Sequence, residues 1–360
     1  MPTHRAVHVK SAGESFELVD VQTAAPPPGH VRIDVNACGV CGTDHAFVTG
    51  AFPNLSWPIT PGHEIAGTVA ELGSGVDGFT VGERVAVGWF GGNCNHCVPC
   101  RKGQFMQCVN LQVPSWNYPG GYAESVTAPA TALARIPDGL SFAEAAPMGC
   151  AGVTTYNALR HTKAVGGDRV AVLGIGGLGH LGIQWARAMG FETIAIARGA
   201  GKAQDATDLG AHHYIDSTGG DVAEALQKLG GAQVVLATAA NSAAMAATVG
   251  GLAPQGELVI IGATFDPLPI SPGDLLFGNF SVIGHPSGTS ADIEDTMHFA
   301  VQSGVRARIE EKPLADAAEA YAAMDEGGPL PHGADDVATR RRLRSRRRRR
   351  PPTSVRRRAR

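Results

Sequence analysis

The sequence lacks any long hydrophobic run. None of its apolar stretches reaches the ~18 residues that a membrane-spanning helix needs, which excludes a protein built on membrane-spanning helices. It also shows no secretory signal peptide, which argues against a secreted protein held together by disulfides. We therefore expect a soluble, cytoplasmic protein whose cysteines stay reduced.

The chain is long enough for more than one hydrophobic core. Its 360 residues correspond to two domains at the usual ~100 to 200 residues each. Hydrophobic residues make up 44% of the sequence and glycine occurs 47 times. This composition is typical of a globular protein rich in strands and tight turns.

Four closely spaced cysteines are the strongest local signal. They follow the spacing C-x2-C-x2-C-x7-C within a lobe of about residues 91–110, and they are Cys94, Cys97, Cys100 and Cys108. Four thiolates satisfy the tetrahedral preference of Zn²⁺ and leave no open position, which is typical of a structural zinc site. The alternative is a pair of disulfides, which a reducing compartment disfavours.

A second set of zinc-ligand residue types is spread along the chain. Cys41 lies in G-V-C-G-T-D, His63 in P-G-H-E, and Cys150 in M-G-C-A-G. One histidine and two cysteines leave a tetrahedral zinc with one position open to water or substrate, which is the arrangement of a catalytic site. The sequence therefore predicts two zinc ions per chain, one structural and one catalytic.

The first ~150 residues show the pattern of a β-rich domain. Apolar Val31, Ile33 and Val35 alternate with polar neighbours, which is the period of a half-buried strand. Similar short runs occur at 65–72 and 84–87, separated by glycine-containing turns. Many short strands with few helical periods predict a small barrel-like β domain.

From about residue 151 the pattern changes to alternating buried strands and helices. A compact apolar strand at 169–173 leads into a G-x-G-x-x-G turn made of Gly174, Gly176, Gly177, Leu178 and Gly179, and a helical period follows. Such glycines let the backbone approach a pyrophosphate at a helix N-terminus, although a plain strand-to-helix turn is the alternative. Six candidate strands predict a doubly wound parallel sheet, and they are 169–173, 193–197, 213–216, 234–238, 258–262 and 280–284.

These motifs, in this order, carry a resemblance to the zinc-dependent medium-chain alcohol dehydrogenases over residues 1–327. The resemblance implies an α/β protein with a GroES-like catalytic domain at 1–150 and a Rossmann cofactor-binding domain at 151–287. Residues 288–327 would then return to the catalytic domain. It further implies a homodimer or homotetramer that acts on a small alcohol or aldehyde.

The resemblance also implies roles for three polar residues near the catalytic zinc. Thr43 corresponds to the hydroxyl that receives the proton of the alcohol, and Asp44 to the carboxylate that holds the far nitrogen of His63. Glu64 corresponds to a residue near the zinc that is either an occasional ligand or a partner of the ligands, and we do not count it as a firm ligand. The relay histidine of many relatives falls on Ala46 here, and the adjacent His45 is expected to point elsewhere.

Substrate class stays open at this point. We favour an alcohol dehydrogenase or aldehyde reductase for primary alcohols with an apolar tail. Trp57, Trp89, Phe90 and Trp116 could line an apolar pocket beside the zinc, and ordinary core or surface packing is the alternative for each. One alternative is a polyol or sugar dehydrogenase of the same family. Another is a catalytically impaired protein that binds zinc and cofactor and contacts nucleic acid through its C-terminal arginines.

The end of the second strand of the parallel sheet has no carboxylate, although NAD-binding domains use one there to accept the ribose hydroxyls. In this sequence the acidic position of the family falls on Ala197, with Arg198 next and Lys202 shortly after. Two cations suit a 2′-phosphate, so we favour NADP(H) over NAD(H). The alternative is that both cations are solvated while NAD binds without the carboxylate.

The C-terminus departs from the family. The resemblance implies a closing strand near K-A-R-F-R-M-V-L, whereas residues 328–360 form an arginine-rich tail. With permitted codon choices, a shift of one base makes the same nucleotides encode A-R-F-R-M-V-L-T. We therefore hypothesise that the tail is translated out of frame. A disordered tail is the second hypothesis, and an arm that binds nucleic acid is the third. Residues 1–327 carry 17 basic and 31 acidic side chains, a net charge of −14 against −3 for the whole chain. Without the closing strand, we expect an unpaired sheet edge.

Overall fold

The computed structural model describes residues 2–325 and 334–336. Within this part of the chain the strands form a two-stranded pair, a seven-stranded sheet and a six-stranded parallel sheet. The strands are β1 Thr3–His8, β2 Glu17–Gln22, β3 His30–Gly39, β4 Glu64–Leu72, β5 Arg84–Val87, β6 Ser125–Pro129, β7 Ala134–Arg135, β8 Arg169–Leu173, β9 Glu192–Ala197, β10 His213–Asp216, β11 Ala232–Ala237, β12 Leu252–Ile260, β13 Ser281–Gly284, β14 Glu311–Pro313 and β15 Ala334–Asp336.

The α-helices of the described residues connect and cover these sheets. They are α1 Gly42–Val48, α2 Val98–Arg101, α3 Phe142–Ala145, α4 Ala151–Arg160, α5 Gly177–Ala188, α6 Ala203–Asp208, α7 Val222–Lys228, α8 Ser242–Ala246, α9 Pro272–Gly278, α10 Ser290–Ser303 and α11 Ala317–Asp325. In the part of the chain that is described, no helix is both long and apolar enough to cross a membrane.

The seven-stranded sheet is the framework of the N-terminal β region. Its order is β14-β15-β3-β4-β5-β7, and β6 also pairs with β3. The predicted alternation along β3 is confirmed, since Val31, Ile33 and Val35 are buried while Arg32 and Asp34 are more exposed. β3 pairs with β4 and β6 and buries one face in the core, which fixes its register in the sheet. The C-terminal end of β3 leads into the first residues of the candidate site.

The predicted six-stranded parallel sheet is confirmed, with the order β10-β9-β8-β11-β12-β13. The strands agree with the predicted ones to within one or two residues at most ends. β12 differs because it begins at Leu252, six residues earlier than predicted, and its pairing with β11 shifts register between Ala232 and Val234. A positive φ of 63° at Gln255 marks this irregular start, which apolar periodicity does not reveal.

Segment 288–325 passes back from the parallel sheet to the β region. α10 packs against α4, and β14 then joins the edge of the seven-stranded sheet. Arg135 of β7 links the seven-stranded sheet to α10, because its backbone N–H donates to the Glu294 side chain at 2.8 Å. The return predicted for 288–327 is consistent with this path, while the domain boundaries themselves stay predictions.

One expectation about the C-terminus is wrong. Ala334–Asp336 forms β15, which pairs antiparallel with β3 and parallel with β14, so this sheet edge is not left unpaired. Backbone N–H and C=O groups make the ladder whatever the side chains are, so a short segment of unexpected sequence can close the edge. The rest of the arginine-rich tail lies outside the described residues, and the reading-frame hypothesis stays a prediction that sequencing the gene would test.

Candidate active site

The first candidate ligand lies at the junction of β3 and α1. Cys41 is the N-cap residue of α1, with extended backbone (φ −117°, ψ 149°). Asp44 stands three residues later, and its Oδ2 accepts the backbone N–H of Cys41 at 3.0 Å, as in a capping box. Thr43 is half-buried in the first turn of the same helix. A strand end and a short capped helix therefore fix three predicted site residues together.

The structure brings the distant candidate ligands to the same place. His63 directly precedes β4, and Cys150 is the N-cap residue of α4. Ligand atoms of Cys41, His63, Glu64 and Cys150 all lie within 4.8 Å of one another. Four residues spread over 110 positions of sequence thus converge on one point between the β region and α4.

Asp44 orients the imidazole of His63. Its Oδ1 lies 2.9 Å from His63 Nδ1, and both side chains are fully buried. Burial lowers the pKa of His63, but the charge of Asp44 and its hydrogen bond raise this pKa more, so it lies well above its usual value. Because a carboxylate only accepts hydrogen bonds, His63 donates through Nδ1–H and turns Nε2 toward the cluster.

The chemistry of the donor set fits a zinc ion. His63 Nε2 and both oxygens of the buried Glu64 have no hydrogen-bond partner among the described residues. Burial and the neighbouring Cys41 charge raise the pKa of Glu64 well above its usual value. The pKa of Cys150 is raised as well, by its hydrogen bond with Cys41, by burial and by the charge of Cys41. Acids this close cannot all ionise without a positive charge between them, and a divalent cation would supply that charge.

The four-cysteine lobe folds as a second cluster of ligand atoms, made of Cys94, Cys97, Cys100 and Cys108. All four thiols are free, and the Sγ atom of Cys108 lies 3.6 Å from that of Cys94 and 3.8 Å from that of Cys97. These separations are far longer than the ~2.05 Å of a disulfide bond. The alternative of two disulfides is therefore not what the structure shows.

Aromatic side chains form a wall beside His63. The Trp89 ring stands edge-on to His63 at a centroid distance of 5.7 Å, and the Phe47 ring lies 6.2 Å away. Phe52 and Trp116 continue the cluster, 4.7 Å apart. Trp57 packs at its margin. Of the predicted pocket residues, Phe90 is 2% exposed and belongs to the core.

The glycine-rich turn lies between β8 and α5, as predicted. Gly174 has a φ of +100°, and a Cβ at Gly179 would lie 1.9 Å from the carbonyl oxygen of Gly174, so both positions require glycine. Space around Gly176, the N-cap residue of the helix, is open. Gly177 and Leu178 begin α5. The turn therefore offers exposed backbone at the N-terminus of a 12-residue helix.

The predicted cofactor-selecting residues lie next to this turn. β9 ends at the buried Ala197, and the following Arg198 is exposed. Lys202 is exposed and its Nζ donates to the carbonyl oxygen of Ile175, inside the glycine-rich turn, at 3.3 Å. The strand end thus carries no carboxylate, and one of the two cations reaches the turn.

His45 points away from the ligand cluster, as expected. Its Nδ1 lies 2.8 Å from Asp325 Oδ1 and 3.1 Å from the hydroxyl of Tyr321, both on α11. The side chain is 47% exposed. His45 therefore connects α1 to α11, and it is not aimed at the cluster formed by the candidate ligands.

A glycine turn at the switch point of a doubly wound sheet, together with a Cys-His-Cys-Glu cluster in the same chain, is typical of a metal-dependent, nicotinamide-linked dehydrogenase. Family models described as Alcohol dehydrogenase GroES-like domain and Zinc-binding dehydrogenase match residues 27–138 and 177–302. The chain belongs to the zinc-dependent medium-chain alcohol dehydrogenase family. The predicted fold class, a GroES-like domain with a Rossmann domain, is confirmed.

Known relatives cover nearly the whole chain. Alcohol dehydrogenase patD of Penicillium expansum is 39% identical over 325 residues, which are 90% of this chain and 95% of the relative. Aldehyde reductase AdhA of Synechocystis sp. is 33% identical, over 90% of this chain and 96% of its own. The solved cinnamyl alcohol dehydrogenase of Sorghum bicolor superposes with a TM-score of 0.85 at 27% identity, over 94% of this chain and 98% of that one.

Proposed function

We propose that this enzyme transfers hydride between NADP(H) and a small primary alcohol or aldehyde with an apolar tail. The observation that carries the proposal is the cluster of Cys41, His63, Glu64 and Cys150, in which His63 and Glu64 are fully buried and Asp44 orients the histidine. Relatives named alcohol dehydrogenase and aldehyde reductase support both directions of this reaction.

Two zinc ions per chain would suit the two ligand clusters. Cys41, His63 and Cys150 would hold the catalytic ion, with Glu64 beside them, and Cys94, Cys97, Cys100 and Cys108 would hold the structural ion. When bound, the catalytic ion supplies Lewis-acid polarisation of the substrate oxygen. The closed set of four thiolates leaves no position for substrate, so its role would be to hold the lobe together.

The side chains around the cluster provide the rest of the chemistry. Thr43 carries the hydroxyl that would accept the proton of the alcohol and pass it on, since it is half-buried two residues from Cys41. Trp89, Phe52 and Trp116 would bind an apolar tail and exclude water. Because the side chain of His45 is engaged by α11, proton release would run from Thr43 through water or the cofactor ribose.

The test of the proposed activity is a substrate panel. Purified protein is mixed with NADPH or NADH and with aliphatic, aromatic and sugar aldehydes, and the absorbance of the reduced nicotinamide is followed. We expect the highest kcat/KM for apolar aldehydes, because an aromatic wall lines the approach to His63. Preference for sugars over apolar aldehydes would favour the polyol dehydrogenase alternative, and no turnover with any substrate would contradict the proposal.

The preference for NADP(H) rests on charge at the end of β9. Ala197 provides no carboxylate to bind ribose hydroxyls, and Arg198 and Lys202 provide two cations beside the turn that would hold the pyrophosphate. A cavity of about 370 Å³ opens at the carboxyl ends of β12 and β13, lined by Met245, Ile260 and Gly284 among others. This is the side of a doubly wound sheet where nucleotide cofactors lie.

We predict that Ala197→Asp shifts cofactor use from NADPH toward NADH. A carboxylate at this position repels a 2′-phosphate and accepts ribose hydroxyls, so the ratio of the two kcat/KM values should fall roughly tenfold or more. Ala197→Ser is the matched control, because it changes the side chain without adding charge. An unchanged ratio in the aspartate variant would contradict the assignment of this strand end to the adenosine ribose.

We propose that two copies of the chain form a homodimer through β13. Among the described strands β13 is an edge of the parallel sheet. Large apolar side chains near it are exposed, namely Phe265 (102%), Leu276 (74%), Phe277 (91%) and Ile283 (39%). An exposed strand edge beside apolar residues pairs readily with an identical edge.

Light scattering of the purified protein tests the assembly. We expect the mass of a dimer or of a dimer of dimers. Phe277→Asp should shift the distribution toward monomer, since it places a charge in the apolar patch. Val109→Asp, on the exposed surface of the cysteine lobe, is the control and should leave the mass unchanged. A wild-type monomer at micromolar concentration would contradict the proposal.

A further inference from the structure

Three donors from separate parts of the chain bind the carboxylate of Asp44. Oδ1 lies 2.9 Å from His63 Nδ1, while Oδ2 accepts the backbone N–H of Cys41 at 3.0 Å and the hydroxyl of Tyr122 at 3.2 Å. Tyr122 lies 78 residues from Asp44 in sequence. A carboxylate only accepts hydrogen bonds, so the phenol is the donor.

The ring of Tyr122 has a fixed position against the segment that carries His63. The side chain is fully buried, and its backbone N–H donates to the carbonyl oxygen of Pro61 at 3.0 Å. Gly121 likewise donates to Gly62 at 2.7 Å. Gly62 has a φ of +96°, and a Cβ there would lie 2.5 Å from the ring. The backbone therefore holds the phenol against the residue that precedes His63.

We propose that Tyr122 is a positioning residue for the catalytic zinc site, acting through Asp44. Its hydroxyl fixes the second oxygen of the carboxylate, which in turn fixes the tautomer and the ring orientation of His63. Without the hydroxyl, Oδ2 of Asp44 keeps the Cys41 amide but loses a donor in a dry interior. Mutation of a group that orients a metal-bound histidine typically weakens metal affinity about 10- to 100-fold.

The test measures zinc affinity of Tyr122→Phe by competition with a chelator. The ring and its packing remain, and the expected result is affinity at the His63 site weakened by about tenfold. Cobalt substitution separates the two sites, because a site with histidine and an open position absorbs differently from four thiolates. Changed cobalt bands at the His63 site are expected in the variant, with the lobe bands unchanged.

Tyr118→Phe is the matched control. Tyr118 is four residues away, and its hydroxyl donates to the carbonyl oxygen of Gly91 at 2.9 Å, away from Asp44. Losing this hydroxyl removes one hydrogen bond of the same kind without touching Asp44. We expect unchanged cobalt bands and unchanged affinity at the His63 site in this variant.

A double-mutant cycle shows whether Tyr122 acts through Asp44. In an Asp44→Asn background, Tyr122→Phe should add little further loss of affinity, because the carboxylate it orients is gone. Equal affinities of wild type and Tyr122→Phe, equal losses in Tyr122→Phe and Tyr118→Phe, or full additivity in the cycle would overturn the inference.

This inference rests on the proposed zinc site, and the two fail in different ways. Wild-type protein that binds no zinc at Cys41, His63 and Cys150 would overturn the proposed function. Wild-type protein that binds zinc there, with Tyr122→Phe binding it equally well, would overturn the positioning role alone.

Discussion

Cys150→Ala lowers kcat/KM for aldehyde reduction on the order of 10³-fold or more. Lewis-acid stabilisation of a transition state is worth several kcal/mol, and each ~1.4 kcal/mol is a factor of ten in rate. The substitution removes one proposed ligand. It shortens the side chain only by the thiol and leaves a methyl group, so the fold should persist. Steady-state kinetics with the best substrate of the panel measures the change, and circular dichroism checks the fold.

Cys38→Ala is the matched control for this variant. Cys38 is buried, on β3 three residues before Cys41, and it lies outside the ligand cluster, whereas Cys150 is partly exposed. We expect Cys38→Ala to keep its turnover and its zinc content, whereas Cys150→Ala should lose one zinc per chain. Full activity of Cys150→Ala, or equal losses in both variants, would contradict the role of Cys150 as a ligand.

Cys100→Ser lowers the thermal midpoint on the order of 10 °C. Structural zinc contributes several kcal/mol of folding free energy, and each kcal/mol shifts the midpoint by about 2–4 °C in domains of this size. Cys100 is 5% exposed inside the lobe and accepts a hydrogen bond from the Asn93 side chain at 3.5 Å. Scanning calorimetry with and without a chelator measures the shift.

The surface of the same lobe provides a control for the stability prediction. Val98 and Val109 are 62% and 72% exposed, so Val98→Ser or Val109→Ser should change the midpoint little. Chelator should lower the midpoint of these variants as much as that of wild type. A Cys100→Ser protein with the wild-type midpoint and the wild-type response to chelator would show that the lobe holds no stabilising ion.

Local signals explain what the sequence predicted correctly. The glycine turn at 174–179 is contiguous, and Gly174 and Gly179 constrain each other within it, so the pattern shows in one short window. The inner strands β8, β9 and β11 of the parallel sheet are buried on both faces, which makes them readable as apolar runs. Cys41, His63 and Cys150 stand out as candidate ligands because few residue types bind zinc; the fold brings all three together, and their role as ligands stays a prediction.

Features that depend on distant contacts could not be predicted in this way. Tyr122 reaches Asp44 across 78 residues, and nothing in its local sequence marks its hydroxyl as a partner of a carboxylate. Phe47 and Phe52 stand beside the predicted tryptophans only because α1 and the loop after it fold over the site. β15 is absent from the sequence pattern, because backbone groups can form a ladder whatever the side chains are.

The central claim is that zinc held by Cys41, His63 and Cys150 makes this chain a dehydrogenase. The most direct test removes metal from the purified protein and restores Zn²⁺ stepwise, while zinc per chain and the rate of aldehyde reduction are followed together. We predict two zinc ions per chain at saturation, with activity returning as the His63 site fills. Full turnover without zinc, or a rate that does not change as this site fills, would contradict the claim.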